Sequence, residues 1–251
     1  MIIIKNDKEI DLMRIAGRIV AETLLLVEKE VRPGITTAEL DRIAEEFITK
    51  HGAKPSFKGL YGFPASLCIS VNEQVVHGIP GGYVLKEGDI ISVDCGANIN
   101  GFHGDAARTF AVGNISEEAK RLIKVTEESF FKGLEFAKVG NKLTDISHEI
   151  QRYVEVSGFS VVREFVGHGI GKSVHEDPEV PNFGRPGRGP KLVAGMALAI
   201  EPMVNMGTYR VATLGDDWTV VSADKSLSAH YENTIVITDG EPIILTRPLE
   251  D

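Results

Sequence analysis

The sequence of 251 residues predicts an α/β protein made of two similar halves, about 6–112 and 116–245. Each half reads as two helical segments followed by strand-like segments, judged from the spacing of its apolar residues. The halves also match at an offset of 106 residues, at Gly34 with Gly140, Leu40 with Ile146, Phe47 with Tyr153, Ile48 with Val154 and Gly52 with Gly158. Identity between the halves is weak, so chance is the rival explanation. Two similar halves would create a cleft at their junction.

The first half is predicted to begin with two helices. Asn6 or Asp7 can accept hydrogen bonds from the free N–H groups at the start of the first helix. Thr36 and Glu39 form a capping-box pattern at the start of the second helix, which Gly52 ends.

The remaining predicted elements are two more helices, seven strands and one loop. We expect the helices over about 116–140 and 144–157. Apolar and β-branched runs predict strands at 66–71, 89–99, 105–112, 159–166, 195–205, 218–223 and 232–238. The glycine- and proline-rich segment 181–191 predicts a surface loop.

The composition excludes several classes of protein. The formal net charge is −9 and no basic tract occurs, whereas phosphate backbones are bound by clustered Lys and Arg. The longest apolar run, 23–27, is far too short for a membrane span, and the first residues lack a signal-peptide pattern. Cys68 and Cys95 form neither a disulfide framework nor a metal motif, which indicates a cytoplasmic protein.

Asp94 and Asp105 lie on the two arms of a predicted β-hairpin. A turn centred between residues 99 and 100 would place them directly opposite each other, and a register slip of one would keep them close. Aspartate is a poor strand former and facing carboxylates repel each other, which favours a cation between them. A solvated pair explains the hairpin equally well when it is considered alone.

The second half adds three candidate metal ligands. Glu201 lies within an apolar strand and Glu232 begins another, and neither strand contains a Lys or Arg. A buried carboxylate requires a cation or a proton. With Asp94, Asp105 and the neutral imidazole of His168, these residues form an oxygen-rich set whose four negative charges match two divalent cations. Such a set suits Mn, Fe or Co, and a metal pair indicates metal-assisted hydrolysis.

The histidines fall into two groups. His168 and His175 lie seven residues apart among glycines, which excludes a zinc-binding helix because glycine destabilises helix interiors. His175 and His77 are candidate polar assistants, although a loop histidine is more often structural or exposed. The histidines without a comparable context are interpreted as structural or exposed: His51, His103, His148 and His230.

The motifs around these residues resemble those of the methionine aminopeptidases: NEQVVHGIP, VDCGA, GDAARTF, GHGIG with a following histidine, AIEPM and SLSAHYENT. The resemblance extends from the first helix to about Leu245. Glu201 and Glu232 are 31 residues apart, which resembles the type I enzymes, since type II enzymes carry a helical insertion there. The resemblance implies one catalytic domain over 1–251 with the pita-bread fold, in which helices flank an antiparallel β-sheet core with internal pseudo-twofold symmetry.

The resemblance also implies a role for each site residue. Two divalent ions (Fe, Mn or Co, with Zn as an alternative) would be held by Asp94 at one ion, by Asp105 and Glu232 as bridges, and by His168 and Glu201 at the other ion. A metal-bridging hydroxide would attack the carbonyl of an N-terminal methionine, with Glu201 as the proton acceptor. His175 would hydrogen-bond the carbonyl and the developing oxyanion, and His77 would contact the scissile amide.

A methionine pocket and a monovalent cation site follow from the same resemblance. The pocket would be lined by Phe57, Leu60, Phe63, Cys68 and Trp218, together with His77 and His175. Family members often carry aromatic residues at the positions of Leu60 and Val174, so the pocket of this chain is expected to be more aliphatic. Asn72, Gln74 and Ser228 match positions that bind Na or K.

The implied function is removal of the initiator methionine from nascent polypeptides, preferentially when the next residue is small. We expect a cytoplasmic monomer that binds neither membranes nor nucleic acid, with a ribosome contact left open. One alternative is an Xaa-Pro aminopeptidase or prolidase, which usually carries an extra N-terminal domain for which this chain has no room. The other is a non-catalytic binding protein of the same fold. Such relatives lose metal ligands, and the presence of all five ligands here favours the enzyme.

Overall fold

The structure, a computed structural model, describes residues 1–248, so the last three residues of the predicted 1–251 domain lie outside it. Its four α-helices are α1 at Asp7–Glu30, α2 at Thr37–Lys50, α3 at Glu117–Leu134 and α4 at Leu143–Val156. A short 3-10 turn covers Leu60–Gly62. Within this described range, no helix combines the length and the apolar character needed to cross a bilayer.

Both helices of the first half begin as predicted. Asn6 is the cap of α1: its side chain accepts the N–H of Glu9 at 3.1 Å, and the Glu9 carboxylate accepts the N–H of Asn6 at 3.1 Å. The same reciprocal bonds join Thr36 and Glu39 at the start of α2. These bonds satisfy N–H groups that a helix start leaves free, which is why the local sequence predicts the boundary.

The strands of residues 1–248 form four sheets in which every pair is antiparallel. They are β1 Lys54–Pro55, β2 Leu67–Val71, β3 Gln74–Val76, β4 Ile90–Ile99, β5 Phe102–Ala111, β6 Ser160–Val161, β7 Gly167–Gly169, β8 Glu176–Val180, β9 Ala197–Ile200, β10 Met203–Asn205, β11 Val211–Thr213, β12 Val220–Ser222, β13 Ser228–His230, β14 Asn233–Val236 and β15 Ile243–Ile244. The sheet orders are β1-β4-β2 with β5 beside β4, β13-β10-β6, β11-β12-β3 and β15-β14-β9-β7-β8.

The predicted register of the β4–β5 hairpin is wrong by two residues, because Asp94 lies opposite Ala107 rather than Asp105. The cause is the turn. Asn100 and Gly101 both have positive φ, 54° and 79°, so a two-residue hairpin turn is centred on them. A shift of two residues preserves the alternation of side chains. Both aspartates therefore still lie on one face of the sheet, as diagonal neighbours.

Two predicted strands are interrupted. The strand expected over 195–205 is divided into β9 and β10, because Pro202 lacks the N–H that a continuous ladder needs, and Glu201 lies in the interruption. The strand expected over 159–166 is paired only at β6. The segment 181–191 is a loop as predicted, but Asn182 is buried in it and donates to the carbonyl of Glu201 at 3.0 Å.

Each helix pair packs on its own hydrophobic core. One buried cluster joins α1 and α2 mainly to β2 and β4, and another joins α3 and α4 mainly to β9 and β14. Both boundaries of α2 recur 106 residues later in α4. Gly34 and Gly140, which precede these helices, have φ of 96° and 98°. The offset found in the sequence therefore recurs in the helices and in the turns that precede them.

Candidate metal centre

The five residues predicted as metal ligands line one cavity of about 710 Å³. The hairpin of the first half contributes Asp94 from β4 and Asp105 from β5. The second half contributes His168 from β7, Glu201 after β9 and Glu232 before β14. Since β7, β9 and β14 are adjacent in one sheet, the fold brings together three residues that are distant in sequence.

Hydrogen bonds join the hairpin to β14 at the centre of the site. The N–H of Glu232 donates to the carbonyl of Ala107 at 3.0 Å, and the N–H of Ala107 donates to the carbonyl of Glu232 at 3.3 Å. The N–H of Asp105 donates to the Thr234 hydroxyl at 3.0 Å, and that hydroxyl donates to the Asp105 carbonyl at 2.9 Å. These bonds hold the backbones of Asp105 and Glu232 next to each other.

Asp94, Asp105, Glu201 and Glu232 form a largely buried carboxylate cluster. Within residues 1–248, no Lys or Arg nitrogen lies within 4.0 Å of these carboxylates, and their close basic neighbours are histidines. Burial raises the pKa of Asp94 to about 7. Burial, followed by the charge of a neighbouring aspartate, raises the pKa of each of the other three carboxyls well above its usual range. The cluster is therefore unfavourable as four negative charges unless a cation neutralises it.

The polar atoms of the site have the pattern expected of metal ligands. Asp94 Oδ1, Asp105 Oδ1 and Glu232 Oε1 are buried and lack a hydrogen-bond partner in the described part of the chain. An unsatisfied buried polar atom costs about 1–3 kcal/mol, so these oxygens require a partner. This set of oxygen donors and imidazole fits divalent transition metals.

The ring of His168 is neutral and has one nitrogen free for a ligand. Its Nδ1 lies 2.9 Å from the carbonyl of Gly169, which assigns the proton to Nδ1 and leaves Nε2 as the free donor atom. Burial lowers the pKa of His168 to about 4, so the ring is neutral. Nε2 lies 3.5 Å from Glu201 Oε1 and 4.0 Å from Asp105 Oδ2. Atoms that share one ion at about 2.0–2.2 Å each have separations of this size.

Part of the wall of this cavity is apolar. Its lining includes all five residues expected for the pocket: Phe57, Leu60, Phe63, Cys68 and Trp218. Val174 packs into the same cluster, and the ring of Phe63 meets that of Trp218 edge-on at 5.1 Å. Burial, followed by the charge of Asp94, raises the pKa of the Cys68 thiol, so Cys68 acts as an apolar wall rather than as a nucleophile.

His77 and His175 also line this cavity. The His175 ring is exposed to the cleft and lies edge-on to His168, with 4.5 Å between the ring centroids. His77 packs edge-on against Phe165 at 5.4 Å and has a positive φ of 59°. Burial lowers the pKa of His77 to about 4. Burial also lowers the pKa of His175, so two neutral imidazoles line the cavity that the apolar residues and the carboxylates share.

The three residues expected to bind a monovalent cation lie close together. The N–H of Ser228 donates to the carbonyl of Asn72 at 2.9 Å. The side chain of Asn72 is bound to Asp89 at 2.9 Å, and that of Gln74 accepts the N–H of Val71 at 2.9 Å. The Ser228 hydroxyl donates to the Val204 carbonyl at 3.3 Å, so its lone pairs and the backbone carbonyls are the groups that remain for a cation.

Two residues to which the sequence assigned no role at the site also border the carboxylate cluster. His230 Nε2 lies 3.8 Å from Glu201 Oε2 and 3.8 Å from Glu232 Oε2. Arg108 donates to the carbonyl of Glu232 at 2.5 Å and stacks on Tyr231 at 4.2 Å. The sequence contained one signal that His230 belongs to the site, because it lies two residues before Glu232. Side chains two residues apart in an extended chain point to the same side.

The other three histidines make hydrogen bonds typical of structural residues. The partners are the Phe47 carbonyl for His51 at 2.8 Å, Ser56 and Asn98 for His103 at 2.8 and 2.7 Å, and the Gly184 carbonyl for His148 at 3.1 Å. His230 alone departs from the interpretation that placed these four together. It is buried against the carboxylate cluster rather than bound to a carbonyl.

Comparison with known proteins identifies close relatives. The model of metallopeptidase family M24 matches residues 11–239. A methionine aminopeptidase of Clostridium perfringens is 76% identical over 246 residues, which cover 98% of this chain and 99% of that protein. The crystal structure of the methionine aminopeptidase from Rickettsia prowazekii matches with a TM-score of 0.97 and 43% identity, covering 98% of this chain and 100% of that one.

The prolidases, which are the alternative class of peptidase, match this chain less well. The prolidase from Pyrococcus horikoshii matches with a TM-score of 0.81 and 24% identity, and the match covers 99% of this chain but 65% of that one. At this level of identity the likeness concerns the fold alone.

Proposed function

The chain belongs to the methionine aminopeptidases of metallopeptidase family M24, and from this premise we propose that it removes the initiator methionine from nascent polypeptides. Its architecture is the pita-bread fold of that family. We further propose a single catalytic domain made of two related halves, about 6–112 and 116–245, with the active site between them.

One observation supports the proposal most directly. The carboxylate cluster, which lacks a neighbouring Lys or Arg in the described chain, opens into the same cavity as an apolar pocket. The acids supply a place for cations, and the pocket suits an unbranched apolar side chain such as that of methionine. A buried acid cluster would be a costly way to build a passive binding surface.

We propose two divalent ions, Fe, Mn or Co with Zn as an alternative, held by Asp94, Asp105, His168, Glu201 and Glu232. When bound, such ions lower the pKa of a water molecule and polarise the substrate carbonyl. A further proposal is a monovalent cation, Na or K, near Asn72, Gln74 and Ser228.

The chain's own side chains would carry the remaining steps. The imidazole of His175 donates a hydrogen bond to the carbonyl oxygen as negative charge develops on it. His77 contacts the scissile amide and orients it, and Glu201 accepts the proton released by the attacking water and returns it to the leaving amine. The substrate methionine lies against Phe57, Phe63 and Trp218.

The decisive experiment is a peptide assay on metal-free protein with added Mn, Fe or Co. We expect release of methionine from Met-Ala-Ser, less from a peptide with a large second residue, and none from Leu-Ala-Ser or Xaa-Pro peptides. Absence of methionine release with every metal would contradict the proposal. Cleavage confined to Xaa-Pro peptides would favour the prolidase alternative.

The biological setting is proposed on the same basis. We propose a cytoplasmic monomer that meets its substrates as they leave the ribosome. Size-exclusion chromatography with light scattering tests the first point, since a mass near 27.3 kDa is expected. Co-sedimentation with ribosomes tests whether a direct contact accompanies the encounter.

A further inference from the structure

His230 is buried at the metal site, and its backbone is firmly held. It ends β13, opposite Met203 of β10. Its N–H donates to the hydroxyl of Thr109 at 2.9 Å, and the same hydroxyl donates to its carbonyl at 2.9 Å. The side chain is only 2% exposed. The backbone of His230 is therefore held by β5 and β10, and its ring is buried.

The Nε2 atom of this ring faces carboxylate oxygens without bonding to them. It lacks a hydrogen-bond partner among residues 1–248 and lies 3.8 Å from one oxygen each of Glu201 and Glu232. A separation of 3.8 Å is too long for a hydrogen bond. It matches the distance between two atoms that bind the same ion at about 2.0–2.2 Å each.

The two imidazoles are arranged similarly around Glu201. His168 Nε2 lies 3.5 Å from Oε1 of Glu201, and His230 Nε2 lies 3.8 Å from Oε2. The donor atoms of Glu201, His230 and Glu232 lie within 4.8 Å of one another, as do those of Asp105, His168 and Glu232. The carboxylate cluster is thus in contact with an imidazole on two sides.

We propose that Nε2 of His230 is a second nitrogen ligand of the metal site, at the ion held by Glu201 and Glu232. The inference rests on the proposed metal-dependent function and adds one ligand to the five proposed there. A second imidazole favours Fe, Co and Zn over Mn, because Fe, Co and Zn bind well to imidazole nitrogen whereas Mn is better suited to oxygen ligands.

The first test counts the imidazoles bound to metal in the intact protein. In protein loaded with two equivalents of Co²⁺, each bound histidine gives an exchangeable ring N–H signal that the paramagnetic ion shifts far downfield in the proton NMR spectrum. We expect two such signals in the unmodified protein. His168→Gln and His230→Gln should each remove a different one, and His51→Gln, which changes an exposed histidine, should remove neither.

The second test measures affinity by titration calorimetry with Co²⁺ and Mn²⁺. His230→Gln should weaken one Co²⁺ site by at least about tenfold and affect Mn²⁺ less. If the unmodified protein gives a single shifted signal and His230→Gln retains that signal, the inference about His230 is wrong, while the proposed function is unaffected. Failure of the unmodified protein to bind Co²⁺ or Mn²⁺ would overturn the proposed function with it. The signal count in the unmodified protein decides the matter even if His230→Gln does not fold.

Discussion

One acidic residue, Glu176, and the carboxylate cluster border the same cavity, and their surroundings differ. Glu176 accepts a hydrogen bond from Lys5 at 2.5 Å, and both side chains of this pair are almost completely buried. Glu176 also accepts the N–H groups of Lys172 and Ser173 at 2.8 and 3.2 Å. The carboxylate cluster has no such cation within the described residues, and three of its oxygens have no hydrogen-bond partner there.

The difference separates an acid that the chain neutralises from acids for which the described residues supply no Lys or Arg. A buried carboxylate that the chain neutralises by itself stabilises one arrangement of its loop, here the loop that carries His175. A cluster that the chain leaves without a counter-charge retains its capacity to bind an added cation. The same cleft therefore combines an acid held in a buried ion pair with acids that lack one.

The largest effect is expected from removing one acid of the cluster. Glu232→Gln should lower kcat/KM for Met-Ala-Ser by about 10³-fold or more, because the several kcal/mol that bound metal contributes depend on this ligand. Metal analysis should show reduced occupancy. Glu118→Gln, which changes an exposed acid of α3, should leave both values unchanged. Full metal content in Glu232→Gln would contradict its assignment as a ligand.

Breaking the buried ion pair between Lys5 and Glu176 should lower the stability of the protein. Lys5→Met leaves Glu176 buried without its cation and should lower the free energy of unfolding by about 3–5 kcal/mol, measured by urea denaturation. Lys172 lies 3.7 Å from Glu9 in an exposed pair, so Lys172→Met should cost less than about 1 kcal/mol. Adding Glu176→Gln to Lys5→Met should restore part of the loss. Equal losses of unfolding free energy in the two lysine variants would mean that the buried pair contributes no more to stability than the exposed pair.

His175 belongs to neither acidic group, and its removal should separate rate from metal binding. His175→Ala should lower kcat by about 10²–10³-fold, the usual effect of removing one donor to a developing oxyanion, while metal content stays constant. The measurements are steady-state kinetics and elemental analysis of the same samples. Loss of metal from His175→Ala would assign this residue to the ligand set instead.

The smallest effect concerns pH. Because the pKa of Asp94 is raised from 3.8 to about 7 in the folded protein, its contribution to stability is complete below about pH 4 and is lost as the pH rises through about 7. Metal-free Asp94→Asn should therefore gain stability over the unmodified protein progressively across that range, by up to about 1.4 kcal/mol per pH unit. Thermal unfolding of both proteins between pH 5 and 8 tests this.

Comparing Asp94→Asn with the unmodified protein separates the effect of the Asp94 carboxyl on the pH dependence of stability from the effect of the buried histidines. Their lowered pKa values act in the opposite direction, but the same histidines are present in both. Saturating metal should increase the stability of the unmodified protein most at the alkaline end, where the ligands are deprotonated. A difference that does not change with pH would contradict the raised pKa of Asp94.

Much of the fold and of the site could be predicted from sequence. The α/β fold class is confirmed by the structure and by its relatives, and the helix starts at Asn6 and Thr36 are confirmed by their capping bonds. The five expected ligands line one cavity, and they could be predicted because each belongs to a distinct motif that resembles one of known enzymes.

The failures have physical reasons. The register of the β4–β5 hairpin depends on which two residues adopt positive φ, and the sequence NINGF allows more than one choice. The predicted strand 195–205 ignored the effect of Pro202, which divides it and places Glu201 in the gap. The position of His230 two residues before Glu232 was a weak signal, because its place at the site depends on strands that pair through residues far away in the chain.

The sequence by itself determined the local features: where helices begin and which side chains are candidates for holding metal. These depend on interactions within a few residues or on the chemistry of single side chains. Only the tertiary structure decided that the acids share one cavity with an apolar pocket, that Lys5 neutralises Glu176, and that His230 faces the carboxylates. Those outcomes depend on long-range strand pairing and burial, which change the energy of a charge according to what surrounds it.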